Sequence, residues 1–335
     1  PIEKKPMAVW LLLAVFLGST TAQSTEKLQF SIFMGLQYYG PPASIETYER
    51  VAAAARALHP APLFVSVCAD HNDTGGGAEN RTGDPGDGGR IIPICDLGDA
   101  EAAAVRAGVA KLREAGVKVL HYTHTRLANY PNGSEYKCCS CCEPLAYVRS
   151  RIVNETDHFV SDGIFVDNVV GNDAWLEYYA ALSASARASD PSRAVGMNLN
   201  CAHDSDATCS PYCTDFGHTA AQCGDCGTKR CQTMPKAFMD LADVLLISEG
   251  YASNSDYETN APFDMTTNTA FRNKMSMFTY NATKTEWKAL IDKAAAKGFT
   301  KFWVSDTLPG PATTSFLTLP PWFEDMVQYI QAMNQ

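Results

Sequence analysis

Residues Asp99 to Tyr122 read DAEAAAVRAGVAKLREAGVKVLHY. Asp99–Ala115 has helical spacing of its apolar residues, and Gly116 stands at the position that ends a helix. Val117–Tyr122 is a short apolar run of strand type. A helix therefore hands over to a strand within two residues, and the same unit recurs in both directions along the chain. Before it come a strand over Phe30–Gly35, a helix over Ser44–Leu58 and a strand over Pro62–Cys68. After it come a helix at about Pro144–His158, a strand at Gly163–Val166, a helix at Asp173–Ala188 and a strand at Ala194–Asn198. Then follow a short helix at Lys236–Ala242, strands at Val244–Ser248 and Met275–Tyr280, a helix at Lys284–Lys297 ended by Gly298, a strand at Lys301–Ser305, and a last helix at Pro321–Met333.

Eight strands alternating with helices imply parallel strands joined by right-handed crossovers. In a chain of 335 residues this points to a single α/β domain, a (β/α)8 TIM-type barrel. An open doubly wound sheet is the alternative. Against it, the first strand is followed by Leu36-Gln37-Tyr38-Tyr39-Gly40 and not by a glycine-rich phosphate loop. The long connections follow strands two, three, five and six, whereas Leu58 to Pro62, Ala115 to Val117 and Gly298 to Lys301 are short. In a barrel that asymmetry gathers the long loops at the C-terminal mouth, where chemistry sits.

Composition narrows the class. Hydrophobic residues make up 46% and charged residues 19%, the balance of a globular chain and not a disordered one. A net charge of −10 without a basic run excludes an ordinary nucleic-acid binder. Ala8–Leu17 (AVWLLLAVFL) follows Lys4 and Lys5 and precedes small residues ending at Ala22. That run is too short to span a bilayer and fits the apolar segment of a secretory signal peptide cleaved after Ala22. The expected organisation is a signal peptide over 1–22 and one barrel domain over 23–335. The expected protein is secreted or at the cell surface, has no membrane span and is monomeric.

Secretion gives meaning to twelve cysteines and five sequons. The sequons begin at Asn72, Asn80, Asn132, Asn154 and Asn281. Cys68 and Cys95 flank a Gly-rich loop and are expected to staple it. Cys138, Cys139, Cys141 and Cys142 fall in an insertion at about 123–143. Cys201, Cys209, Cys213, Cys223, Cys226 and Cys231 fall in another at 199–234. C-x-x-C spacing also suits zinc, but in a secreted chain disulfides are expected, with at least one bridge joining the two insertions across the mouth. No metal and no cofactor is expected. HExxH, G-x-S-x-G and P-loop motifs are absent, which leaves metalloprotease, serine hydrolase and nucleotide functions unsupported.

Polar residues at the ends of the apolar strands are the candidates for a site. They are Tyr38, Tyr122, His124, Asp167, Asn168, Asn198, Glu249 and Asp306, with Tyr251 just beyond. Asp167 and Glu249 end strands that are next-but-one neighbours, so both can face one cleft. Paired carboxylates are what glycoside hydrolysis needs. Tyr38, Tyr122 and Tyr251 suit stacking on sugar rings, or simple aromatic packing.

Asp162-Gly163-Ile164-Phe165-Val166-Asp167-Asn168 resembles the DGIFFDE element of the spherulin-4 family. Residues 241–250 (LADVLLISEG) are similar to its ADVVVVFEG element, and residues 116–125 (GVKVLHYTHT) to its GVKTLGYVHT segment. Phe302–Asp306 followed by Leu319-Pro320-Pro321-Trp322 is similar to its VYVTD…LPSYW ending. The likeness runs from about Phe30 to Ile330. It implies a (β/α)8 barrel related to fungal secreted glycoside hydrolases that cut α-linked galactosaminogalactan at N-acetylgalactosamine. Carried over, it makes Asp167 and Glu249 the catalytic acids, and His124 also matches a family position. With the strand-end residues Tyr38, Tyr122, Asn168, Asn198, Tyr251 and Asp306, His124 is expected to hold an extracellular polysaccharide. The family's Asp-Glu pair is here Asp167-Asn168. Asn neither gives nor takes a catalytic proton near neutral pH, so a glycan-binding protein without turnover is the competing expectation. Neighbours in a regular strand point to opposite faces, so Asp167 and Asn168 share the cleft only if the strand end bulges.

Overall fold

The computed structural model of the chain describes residues 27–36, 43–67, 99–125, 145–146, 148–149, 152, 161–167, 169, 175–199, 236–254, 269–307 and 318–335. The strands are β1 (Ser31–Leu36), β2 (Phe64–Val67), β3 (Lys118–His124), β4 (Gly163–Asp167), β5 (Ala194–Asn198), β6 (Val244–Tyr251), β7 (Met275–Tyr280) and β8 (Lys301–Val304). Each pairs in parallel with the next, and β8 pairs with β1, closing the barrel in chain order. The helices are α1 (Ile45–Leu58), α2 (Asp99–Glu114), α3 (Leu176–Ala186), α4 (Lys236–Leu241), α5 (Thr269–Arg272), α6 (Trp287–Ala296) and α7 (Phe323–Met333). The fold is the (β/α)8 barrel that the alternation implies. Of the helix expected at 144–158, the described residues Leu145, Ala146, Val148, Arg149 and Ile152 are helical. All twelve cysteines and four of the five sequon asparagines lie outside the described residues, Asn281 being the exception.

Local chemistry sets the element ends. Ser44 caps α1, its hydroxyl accepting from Thr47 N at 3.2 Å. The stripe Tyr48, Val51, Ala52, Ala55 and Leu58 is buried. Gly116 and Gly298 close α2 and α6 with φ of +83° and +100°, where a Cβ would be strained. Gly108 on α2 lets Tyr48 of α1 approach, because a Cβ there would lie 2.3 Å from the Tyr48 ring.

The barrel interior can be read from ring contacts. Phe33 on β1 lies 5.1 Å from Phe165 on β4 and 5.0 Å from Phe278 on β7. These strands are not neighbours, so the rings meet inside the barrel. Gly196 on β5 leaves them room, since a Cβ there would stand 2.8 Å from Phe165. Side chains alternate along a strand, so Asp167, Asn198 and Tyr280 follow Phe165, Gly196 and Phe278 on the inward face. Tyr122 pairs with Phe165 and shares it.

β6 departs from this regularity. Leu246 pairs with Ser276 and Ser248 with Met277, so one extra β6 residue is accommodated as a bulge. Regular alternation from Leu246 would turn Glu249 outward. The bulge brings Glu249 opposite Phe278, onto the inward face. The expected strand stopped at Ser248. The observed one continues to Tyr251, so Glu249 lies within β6 and not after it.

The N-terminal ends of β4 and β6 carry acids of another kind. Asp162 accepts from Val119 N at 3.0 Å and Arg113 Nε at 3.2 Å. Asp243 accepts from Val195 N and Arg187 Nη2, both at 2.8 Å. Each clips the neighbouring strand to a helix at the face of the barrel that serves stability.

Candidate active site

Five inward side chains from five successive strands form one hydrogen-bonded row across the mouth. Tyr122 on β3 donates its hydroxyl to Asp167 Oδ2 on β4 at 2.6 Å. Asn198 Nδ2 on β5 donates to Asp167 Oδ1 at 2.7 Å and to Glu249 Oε2 on β6 at 2.9 Å. Tyr280 on β7 donates to Glu249 Oε1 at 2.7 Å. Both carboxyl groups are thus held at both oxygens. Two N–H donors at the trigonal angle place the two bridged oxygens about 5 Å apart.

The row fixes the Asn198 amide. Its nitrogen must face the acids, because a carbonyl oxygen turned there would meet two acceptors. Asn198 Oδ1 is buried without a hydrogen-bond partner among the described residues. An orphaned buried acceptor costs about 1–3 kcal/mol, which an N–H or O–H donor of a ligand, or a water, would offset.

Glu249 and Asp167 keep part of their surface open at the mouth. Burial of its carboxyl raises the Glu249 pKa above the ordinary glutamate value, and the Asp167 charge pushes the same way. The hydrogen bonds from Tyr280 and Asn198 favour its charged form and oppose the rise. Oε2 of Glu249 faces a nitrogen that only donates. The Tyr280 hydroxyl, which both donates and accepts, suits either protonation state.

Four expected site residues, Tyr122, Asp167, Asn198 and Glu249, meet in this row. Tyr251, two residues beyond Glu249 and paired with Tyr280, stands on the rim at 43% exposure. His124 pairs with Asp167 in the β3–β4 register. Asp306 is half-buried past the end of β8, and none of the row's hydrogen bonds reaches it. Tyr38 and Asn168 lie outside the described residues. Sequence reasoning missed Tyr280. Its signal was present, since it is the polar last residue of the apolar run Met275–Phe278, continued by Thr279.

Among the described residues no group of three or more His, Cys, Asp or Glu is placed to hold a metal ion. Among them, too, no helix is long and apolar enough to cross a membrane.

No protein-family model matches the chain, and no curated protein matches it. Solved structures do. Aspergillus clavatus Sph3, determined in complex with GalNAc, is 12% identical, with 91% of this chain and 98% of that one covered and a TM-score of 0.52. Active domain 2 of a thermostable chitinase from Pyrococcus furiosus, complexed with chito-oligosaccharides, is 10% identical over 91% and 96% of the two chains, at a TM-score of 0.45. A GH5-4 broad-specificity endoglucanase from Clostridium longisporum is 10% identical over 91% and 96%, at 0.44. The likeness to Sph3 is one of fold, the (β/α)8 barrel.

Proposed function

We propose that the chain is a secreted glycoside hydrolase of spherulin-4 type that cleaves amino-sugar-containing extracellular polysaccharide, α-linked at N-acetylgalactosamine-type residues. The observation that carries this is the Asn198 nitrogen shared by Asp167 and Glu249. The facing oxygens of the carboxyl pair, about 5 Å apart, suit a retaining mechanism, whereas an inverting one leaves a wider gap for water. Glu249, whose pKa is raised by burial and by Asp167, is the general acid. It protonates the leaving glycosidic oxygen while Asp167 attacks the anomeric carbon. Glu249 then takes a proton from the water that releases the sugar from Asp167. Tyr122 and Asn198 hold Asp167 in place for attack, and Tyr280 holds Glu249. Tyr251 offers an aromatic face at the rim, and Tyr38, His124, Asn168 and Asp306 complete the substrate surround. The organisation that goes with this is a signal peptide over 1–22 and one domain over 23–335.

The order of the spherulin-4-like segments and the fold shared with the GalNAc-bound Sph3 support the substrate class. The test is release of reducing ends from an α-linked galactosamine-containing polymer, lost in Glu249→Gln. A second reading is favoured by Asn168 in place of the family's glutamate. In it the barrel binds glycan without turnover, and binding persists unchanged in Glu249→Gln while no reducing ends appear.

A further inference from the structure

Asn281-Ala282-Thr283 is a sequon placed one residue beyond the catalytic row. Asn281 directly follows Tyr280, whose hydroxyl holds Glu249. It is exposed, and its backbone adopts the left-handed conformation with φ of 55°. Its N–H bonds Thr307 O at 3.1 Å, and Ala282 N bonds Ser305 O at 2.9 Å. These bonds tie the turn to the end of β8, and buried Ala282 pins its base. Asn281 is thus exposed on a hydrogen-bonded turn at the mouth, next to a buried anchor, with no hydrogen bond to its side-chain amide among the described residues.

We propose that Asn281 is an N-glycosylation site and that its glycan stands on the mouth rim at the Glu249–Tyr280 end of the row. The reaction is transfer from a polyprenyl-diphosphate-linked oligosaccharide. The side-chain amide nitrogen forms a bond to the anomeric carbon and gives up one proton to the transferase's base. The bond from that carbon to the diphosphate breaks, and the lipid diphosphate leaves with the electron pair.

The fold also says when this happens. Thr283 donates its hydroxyl to Glu286 Oε2 at 2.7 Å and its N–H to the same oxygen at 2.9 Å, in the turn that starts α6. The hydroxyl that the sequon requires is therefore engaged in the folded protein, and transfer belongs to the emerging chain. The rim position has a consequence that rests on the hydrolase reading. A glycan there narrows the approach of a polymer to Glu249 and leaves a short substrate unaffected.

The test uses the full chain behind a host signal peptide in a eukaryotic secretory host, so that delivery does not depend on residues 1–22. Digestion after Lys274 and Lys284 yields the peptide 275–284. After enzymatic deglycosylation in heavy-oxygen water, the expected result is Asn281 converted to labelled aspartate in the natural chain and in Thr283→Ser, with no such conversion in Asn281→Gly. Glycine suits the positive φ, so Asn281→Gly folds without added strain. Recovery of the peptide mainly with an unmodified asparagine, before deglycosylation, would overturn the proposal. Turnover of polymer several-fold faster in Asn281→Gly, with equal turnover of a short oligosaccharide, is expected for the rim effect. Equal polymer turnover refutes the rim effect and leaves the modification standing.

Discussion

Asp167 and Glu249 are joined through a single nitrogen, Asn198 Nδ2, which lies 2.7 Å from Asp167 Oδ1 and 2.9 Å from Glu249 Oε2. The two acids sit on next-but-one strands, and the residue between them supplies both donors that keep them apart and oriented.

Asn198→Leu keeps the approximate volume and removes both donors. Glu249 loses a hydrogen bond that favours its charged form, so it titrates at still higher pH. Turnover is expected to fall about 10²-fold, the scale of a misplaced acid–base pair. Steady-state kinetics with a matched thermal melt checks this; unchanged kcat would remove Asn198 from the machinery.

Tyr280→Phe takes one donor from Glu249 Oε1. That bond lowers the Glu249 pKa, so its loss raises it. A general acid works only while protonated, and activity is lost as pH climbs through its pKa. The alkaline limb of the pH–rate profile is therefore expected to move to higher pH in the variant. A purely structural role for Tyr280 would lower the whole profile without displacing that limb.

Asp162→Ala is expected to behave in the opposite way to Asp167→Ala. Asp162 holds Val119 N at the N-terminal face, and Val119 is fully buried. An unsatisfied N–H there costs about 1–3 kcal/mol. The melting temperature should drop with kcat nearly unchanged, while Asp167→Ala should abolish kcat. On this prediction two acids of one seven-residue segment divide between stability and chemistry according to the end of the strand each occupies.

How much of this was legible beforehand follows from the same contrast. The strand and helix alternation was legible because each unit carries its own periodicity and stop signals, as at Gly116. Tyr122, Asp167, Asn198 and Glu249 were legible as polar residues ending apolar runs. The orientation of Glu249 was not, because a strand buried on both faces reads as unbroken hydrophobicity, Val244-Leu245-Leu246-Ile247, and hides a bulge. Counting alternation from Leu246 would have turned Glu249 away from Asp167. Tyr280 ends its apolar run in the same way, but a tyrosine there reads equally as core packing, and only its hydrogen bond to Glu249 across β6 and β7 sets it apart. The partition of donors and acceptors along the row is set by tertiary contacts between strands far apart in sequence.

Lys301 supplies a pH test independent of the site. It is buried at the start of β8, donates to Asn273 O and lies 5.7 Å from the Phe64 ring centre. Burial, reinforced by the charge of Lys274, pushes its pKa down to about 7. The unfolded chain holds this proton up to the ordinary lysine range, so between about pH 7 and 10 the unfolded state binds more protons. This group therefore makes stability rise with pH through that window, and its penalty is full below it. Lys301→Met should raise the melting temperature at pH 6 and bring less gain, or none, at pH 9. Equal shifts at both pH values would contradict a buried, proton-shedding Lys301.

If Asp167 and Glu249 act together as nucleophile and acid, their facing oxygens about 5 Å apart, the anomer that forms first keeps the configuration of the substrate. Proton NMR of the initial product from an α-linked galactosamine-containing oligosaccharide should show the α-anomer before mutarotation, and no product with Glu249→Gln. First appearance of the β-anomer, or no product from the natural chain, would contradict it.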